Sequence, residues 1–184
     1  MELQQAQTIA EKVLADCRPA CSRIEVAGSV RRKKPSVKDI EIVAIVEDYE
    51  RLFKSLSLHG RFIKPGVPDI IDWSPKEGAK YIRMLLEEQV KLDFFVASPE
   101  NWGALLTMRT GPAAAENGFG FVPAMFAAWK RKSGGGKMSG CLPTLPDGRQ
   151  VEAREEKEFF DLCGVKWVDP EERRSGRDVK KLSA

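Results

Sequence analysis

The chain has 184 residues, enough for one modest domain or two small subdomains with a substantial core. Its hydrophobic content of 42% and charged content of 31% are those of a globular chain, and no apolar stretch is long enough to span a membrane. A single histidine, His59, and four cysteines without a CxxC pair argue against a zinc site and a histidine-dependent hydrolytic triad.

Met1 to Asp16 carries Leu3, Ala6, Ile9, Ala10, Val13 and Leu14 at helical spacing, which predicts an amphipathic helix covering one side of a sheet and ending at Arg18-Pro19. Arg23 to Ala27 reads as a short strand. Gly28-Ser29 ends it and opens a helix, leaving backbone N–H groups to hold phosphate. Asp39 to Val46 is an apolar run interrupted by Asp39 and Glu41. In a strand, side chains two apart share a face, so both carboxylates point the same way. Two such acids are costly together unless a cation joins them, and a hard divalent ion such as Mg²⁺ is the natural occupant.

Asp48 to Leu58 is helical by pattern, and Phe62-Ile63, about Asp69 to Trp73, and Tyr81 to Glu87 read as strands. Gln89 to Ala97 reads as a buried strand with Gln89, Lys91, Asp93 and Phe95 on one face and Val90, Leu92, Phe94 and Val96 on the other. Asp93 is its only acid. If this strand lies beside the Asp39 strand, three carboxylates converge, as a site for two metal ions about 3.5–4 Å apart requires.

Asn101 begins a different pattern. Trp102 to Met108 is a helix stopped by Thr110-Gly111-Pro112, and Pro123 to Lys132 is another, ended by Ser133 and three glycines. Met138 to Leu145 and Arg149 to Val151 flank the turn Pro146-Asp147-Gly148. Glu155 to Cys163 is a short helix capped by Gly164, and Val165 to Val168 is a last strand. The final ten or so residues are expected to be disordered. No internal repeat is present.

The net charge of +3 hides clusters: five basic residues from Arg31 to Lys38, four from Lys130 to Lys137, and a basic tail. Separate clusters suit a polyanion, and Lys130, Arg131 and Lys132 before the glycines suit a DNA-backbone contact. Trp73, Trp102, Trp129 and Trp167 are read as packing residues rather than base-stacking platforms. With isolated thiols and no apolar secretion-signal core at the N-terminus, an intracellular protein is expected, with a viral or phage origin left open.

Taken together, Gly28-Ser29-Val30-Arg31-Arg32, the acids Asp39, Glu41 and Asp93, and Thr110-Gly111 resemble the family X DNA polymerases, the polymerase beta class. The closing stretch from Glu155 to Arg173 is similar to that family's end segment, with an acidic helix, a Gly and an aromatic strand before Pro-Glu-x-Arg. The resemblance covers roughly residues 20–174. It implies an α/β (α+β) fold: a nucleotidyltransferase palm with a mixed β-sheet and flanking helices over 1–100, a small C-terminal α+β thumb-like subdomain over 101–174, and a basic tail over 175–184. This is the family's minimal two-part form, without the helix-hairpin-helix and lyase domains.

The resemblance further implies that Gly28, Ser29 and Arg32 bind the nucleotide's phosphates, that Asp39, Glu41 and Asp93 bind two Mg²⁺ ions (or Mn²⁺), and that Lys91 lies near the primer 3′ oxygen. Lys91 stands where the family commonly has arginine, keeping the charge but losing the planar fork. Arg109, Thr110 and Gly111 would complete the nucleotide site. Met108-Arg109 replaces an aromatic pair that excludes a 2′-hydroxyl, so weakened sugar discrimination is expected. Glu41 replaces an aspartate, and Ala113 and Glu116 stand where the family touches the base. The implied activity is DNA-directed DNA polymerisation in short gaps of primer-template DNA by a monomer using nucleoside triphosphates, with a DNA ligase as a candidate partner. Two other readings stay open: a template-independent or small-molecule nucleotidyltransferase, and a non-catalytic DNA- or nucleotide-binding module.

Overall fold

Apolar periodicity translates directly into helix α1 (Leu3–Cys17), which buries Ala6, Ile9, Ala10, Val13 and Cys17 on one stripe. The computed structural model describes residues 1–64, 66, 73–115 and 118–182. The chain divides into two compact units, Met1–Ala97 and Ser98–Ala184.

In the first unit α1 is followed by β1 (Cys21–Val26), α2 (Gly28–Arg31), β2 (Asp39–Val46), α3 (Tyr49–Ser57), β3 (Gly60–Ile63), β4 (Tyr81–Leu86) and β5 (Lys91–Ala97). The five strands form one mixed sheet in the order β1-β2-β5-β4-β3. The β2–β5 pair is parallel and the other three pairs are antiparallel. Asp48 caps α3 by accepting the Arg51 N–H at 2.9 Å.

One face of this sheet is apolar and packs on α1 and α3: Ile24, Ile40, Ile42, Ala44, Ile82, Met84, Leu92, Phe94 and Val96 meet Ile9, Val13, Leu52 and Leu56 in a single cluster. Burying each such side chain is worth about 1.5–3 kcal/mol, so the alternation in β2 and β5 has one stable orientation. Asp39, Glu41 and Asp93 are thereby sent to the opposite face. β5 begins two residues later than expected. Gln89, with φ of 59°, sits in the tight turn after β4, and its N–H donates to Leu86 O at 3.0 Å. The expected strand at about Asp69 to Trp73 falls on residues outside those described, except for Trp73, which has no regular structure.

The second unit holds α4 (Trp102–Thr110), β6 (Ala114–Ala115), β7 (Gly118–Phe119), α5 (Phe121–Lys132), β8 (Lys137–Ser139), β9 (Leu142–Thr144) and α6 (Glu156–Cys163). Its core gathers Ala104, Phe121, Met125, Trp129, Phe159, Phe160 and Cys163. The protein is therefore a mixed α+β fold with a mixed sheet, and among the described residues no helix is long and apolar enough to cross a membrane.

Three expectations need correction here. Met138 to Leu145 is not one arm of a hairpin but contains one, β8–β9, turned at Gly140 and Cys141, which both have positive φ (56° and 64°). The Pro146-Asp147-Gly148 turn is also present, closed by the Leu145 N–H donating to Arg149 O at 2.8 Å. Val165 to Val168 is not a strand; only Val165 forms a bridge, to Lys181, because Val168 O is taken by the Arg173 Nε–H at 3.0 Å. Of the tail, expected to be disordered, the described part, residues 175–182, has a 3-10 turn at Gly176–Asp178 capped by Ser175 and forms that same bridge at Lys181.

Candidate functional site

The acids of the first unit are placed by strand pairing. Asp39 and Glu41 alternate with buried Ile40 and Ile42 on β2, and β5 runs parallel beside it with Asp39 opposite Lys91 and Glu41 opposite Asp93. Asp39, Glu41, Asp93 and Lys91 thus share the face turned away from α1 and α3. Asp93 is 6% exposed. A carboxylate so far from water needs compensation.

The turn before α2 lies against β2. Ala27 N–H donates to Glu41 O at 2.8 Å, and Gly28 has φ of 60°. Glycine is required here by the backbone, and a Cβ at Gly28 would also displace the Glu41 carboxylate seated on it. Ser29 Oγ is buried with no hydrogen-bond partner among the described residues. Burial pulls the Arg32 guanidinium below its ordinary range, while Glu41 and Asp39 oppose that shift. Gly28, Ser29, Arg32, Asp39 and Glu41 are therefore one local assembly.

Asp93 is held from the other side by residues that the sequence reading did not single out. Arg83 Nε and Nη2 donate to Asp93 Oδ1 and Oδ2, both at 2.7 Å, and Tyr81 Oη donates to Oδ1 at 2.7 Å. The hydrogen bond to Asp93 raises the affinity of Arg83 for its proton. Burial first, and then the Asp93 hydrogen bond, push the Tyr81 phenol upward. Tyr81 also stacks on Phe95, ring centroids 5.1 Å apart. The available signal was the alternation Tyr81, Arg83, Leu85 in β4, which puts Arg83 on one face; its register with Asp93 is set by pairing that local sequence does not encode.

The donor chemistry fits a hard divalent ion, with carboxylates two apart on one strand and in direct register on the next. The carboxylates are nonetheless turned to protein partners, Asp93 to Arg83 and Tyr81, and Glu41 onto Gly28. Accordingly, among the described residues no three acidic, His or Cys groups converge to hold an ion. The positive charge beside Asp93 is supplied by Arg83.

In the second unit Arg109 and Thr110 end α4, Thr110 fully buried, and Gly111 follows with its N–H donating to Thr107 O at 2.9 Å. A Cβ on Gly111 would lie 2.5 Å from the Phe121 ring, so close packing explains this glycine. Lys130, Arg131 and Lys132 form the exposed last turn of α5, where the helix dipole favours cations. Ala113 lies just before β6, and Glu116 is outside the described residues. A further buried pair is Glu156 and Arg173: Arg173 Nη1 donates to Glu156 Oε1 at 2.7 Å, and Thr107 Oγ1 donates to the same oxygen at 3.1 Å. No protein-family model and no curated protein matches the chain.

Proposed function

We propose that the chain is a DNA-directed DNA polymerase of the repair type, a nucleotidyltransferase palm followed by a thumb-like unit, which adds nucleotides to a primer 3′-hydroxyl in short gaps. The observation that carries this reading is the parallel β2–β5 register, with Glu41 opposite Asp93 and Asp39 on the same face. The Gly28-Ser29 turn bonded to β2, with its buried and unsatisfied Ser29 hydroxyl, supports a phosphate site beside those acids.

In this reading the primer 3′ oxygen attacks the α-phosphate, a new P–O bond forms, and the bond to the pyrophosphate leaving group breaks as the hydroxyl proton departs. Ser29 and Arg32 hold the β- and γ-phosphates, offsetting their charge. Asp39, Glu41 and Asp93 are the residues that would hold two Mg²⁺ ions, and those ions would supply activation of the hydroxyl and neutralisation of the leaving group's charge. Asp93 would have to give up Arg83 to take such a partner. Lys91 adds positive charge near the primer end, and Lys130 to Lys132 track the DNA backbone. Positioning and electrostatics supply most of the acceleration.

One second reading has a specific observation behind it. The Arg83 fork on Asp93 suits a module that binds nucleotide or DNA without turnover. Primer extension on a one-nucleotide gap with a 5′-phosphate separates the two, testing each dNTP and NTP with Mg²⁺ or Mn²⁺. Templated insertion that disappears in Asp39→Asn and Asp93→Asn supports the polymerase. Untemplated addition assigns a terminal transferase, and nucleotide binding without insertion assigns the binding module.

A further inference from the structure

The last stretch of the second unit gathers three cations at one recess without an ion pair among the described residues. Lys166 and Lys180 lie directly opposite each other, because Val165 bridges Lys181 and the Lys166 N–H donates to Lys180 O at 2.8 Å. Like charges facing each other across such a pair are destabilising. With Arg174 they border one surface recess of about 410 Å³. None of these three cations is paired to a carboxylate among the described residues. The nearby carboxylates are held by neutral donors and keep their charge: Asp178 accepts the Arg174 and Ser175 N–H groups at 3.1 and 2.6 Å, and Asp169 accepts the Trp167 indole N–H at 2.9 Å. Glu172 is the other acid bordering the recess.

Trp167 borders the same recess and is 37% exposed, unusual for an indole. It is held rigidly. The Arg173 guanidinium lies 4.9 Å from its ring centroid, Phe160 is 4.9 Å away, and Asp169 fixes the indole nitrogen. A fixed aromatic surface beside three cations, which outnumber the two carboxylates of the recess, Glu172 and Asp178, matches a nucleotide unit whose base is unstacked: base on indole, phosphates on lysine and arginine. Duplex DNA hides its base faces and offers this indole nothing.

We infer that the recess of Trp167, Lys166, Arg174 and Lys180 binds an unpaired stretch of single-stranded nucleic acid. The test is fluorescence anisotropy of labelled (dT)₁₂ with the full chain in EDTA without nucleotide, so it does not depend on nucleotidyl transfer and fails or succeeds separately from that reading. The variant Lys166→Gln/Arg174→Gln/Lys180→Gln is expected to bind at least about 10-fold more weakly. Its log–log salt slope should be shallower by about 2, for three lost phosphate contacts at about 0.7 each. It should be no less stable than the parent, since like charges are removed. Trp167→Leu, which removes the aromatic face, should weaken (dT)₁₂ binding while leaving binding of a blunt duplex unchanged, and dTMP should compete poorly. Unchanged (dT)₁₂ affinity in the triple variant overturns the inference, as does a Trp167→Leu variant indistinguishable from the parent on single strands. Equal loss in Lys130→Gln/Arg131→Gln/Lys132→Gln with none in the first variant places the strand on α5 instead and also overturns it.

Discussion

At the scale of single residues, two positions show how closely the acids are fitted to their neighbours. Gly28 has left-handed backbone and carries the Glu41 carboxylate where a Cβ would stand. Gly28→Ala should cost about 1–2 kcal/mol from the backbone alone, and more from the displaced carboxylate. In an Glu41→Ala background the same substitution should cost less, because only the backbone part remains; equal costs in the two backgrounds, measured by urea unfolding, would show that the contact carries no energy. Arg83 is the second case. Its side chain is 33% exposed while that of Asp93 is 9% exposed, so water weakens the pair without abolishing it. Removing the guanidinium leaves a largely buried carboxylate in need of a cation. Arg83→Gln should therefore destabilise the metal-free protein by about 2 kcal/mol, below the 3–5 expected for a fully buried pair. It should also bind Mn²⁺ at least about 10-fold more tightly by electron paramagnetic resonance titration. An unchanged Mn²⁺ affinity would mean that Arg83 does not compete for Asp93. The acids themselves were legible as interruptions of apolar runs. Arg83 and Tyr81 were not, because a cross-strand partner is defined by register rather than by neighbours in sequence.

At the scale of elements, α6 shows what local chemistry determines. Its capping box between Glu155 and Glu158 and its left-handed Gly164, with φ of 65°, are written in consecutive residues, and the helix begins and ends where they dictate. The β8–β9 turn is the opposite case: Gly140 alone marked it, and Cys141, with φ of 64° and a side chain that rarely adopts it, hid the second turn position. Val165 to Val168 has strand-like composition, yet the carbonyl of Val168 is diverted to Arg173. That arginine is fully buried, and Glu156 Oε1 is its carboxylate partner, shared with Thr107. Glu156→Gln takes a charged partner from a buried guanidinium and should cost about 3 kcal/mol. The double replacement Glu156→Leu/Arg173→Met should cost less than Glu156→Gln alone, since no ion is then left buried. A double variant less stable than the single one would show that Arg173, set against Phe121, Phe160 and Trp167, contributes chiefly by packing.

At the scale of the whole molecule, the order β1-β2-β5-β4-β3 is what makes the candidate site, because it inserts β5 between β2 and β4 and so brings Asp93 to Glu41 on one side and Arg83 on the other. The strands were readable singly, whereas their adjacency depends on long-range pairing. The division into Met1–Ala97 and Ser98–Ala184 raises the question of whether the two units unfold together. Each unit contains a reporter. Burial pushes the thiols of Cys17, in α1, and Cys163, in α6, from an ordinary 9.0 up to about 12. Above about pH 9 the unfolded chain loses these protons while the folded chain keeps them. The unfolded state then binds fewer protons, so stability falls as pH rises, by about 1.4 kcal/mol per pH unit for each buried thiol. Below pH 9 the contribution is fully present and stability should not depend on these groups. Between pH 9 and 10.5, Cys17→Ala should make the fall shallower for any transition in which the first unit unfolds, and Cys163→Ala for any in which the second does. If the units unfold as one, a single urea transition results and either substitution removes the same increment of slope. If they unfold separately, two transitions are resolved, and each substitution flattens one while leaving the other as steep as in the parent. A slope unaffected by both substitutions would mean that neither thiol is shielded from water in the folded protein.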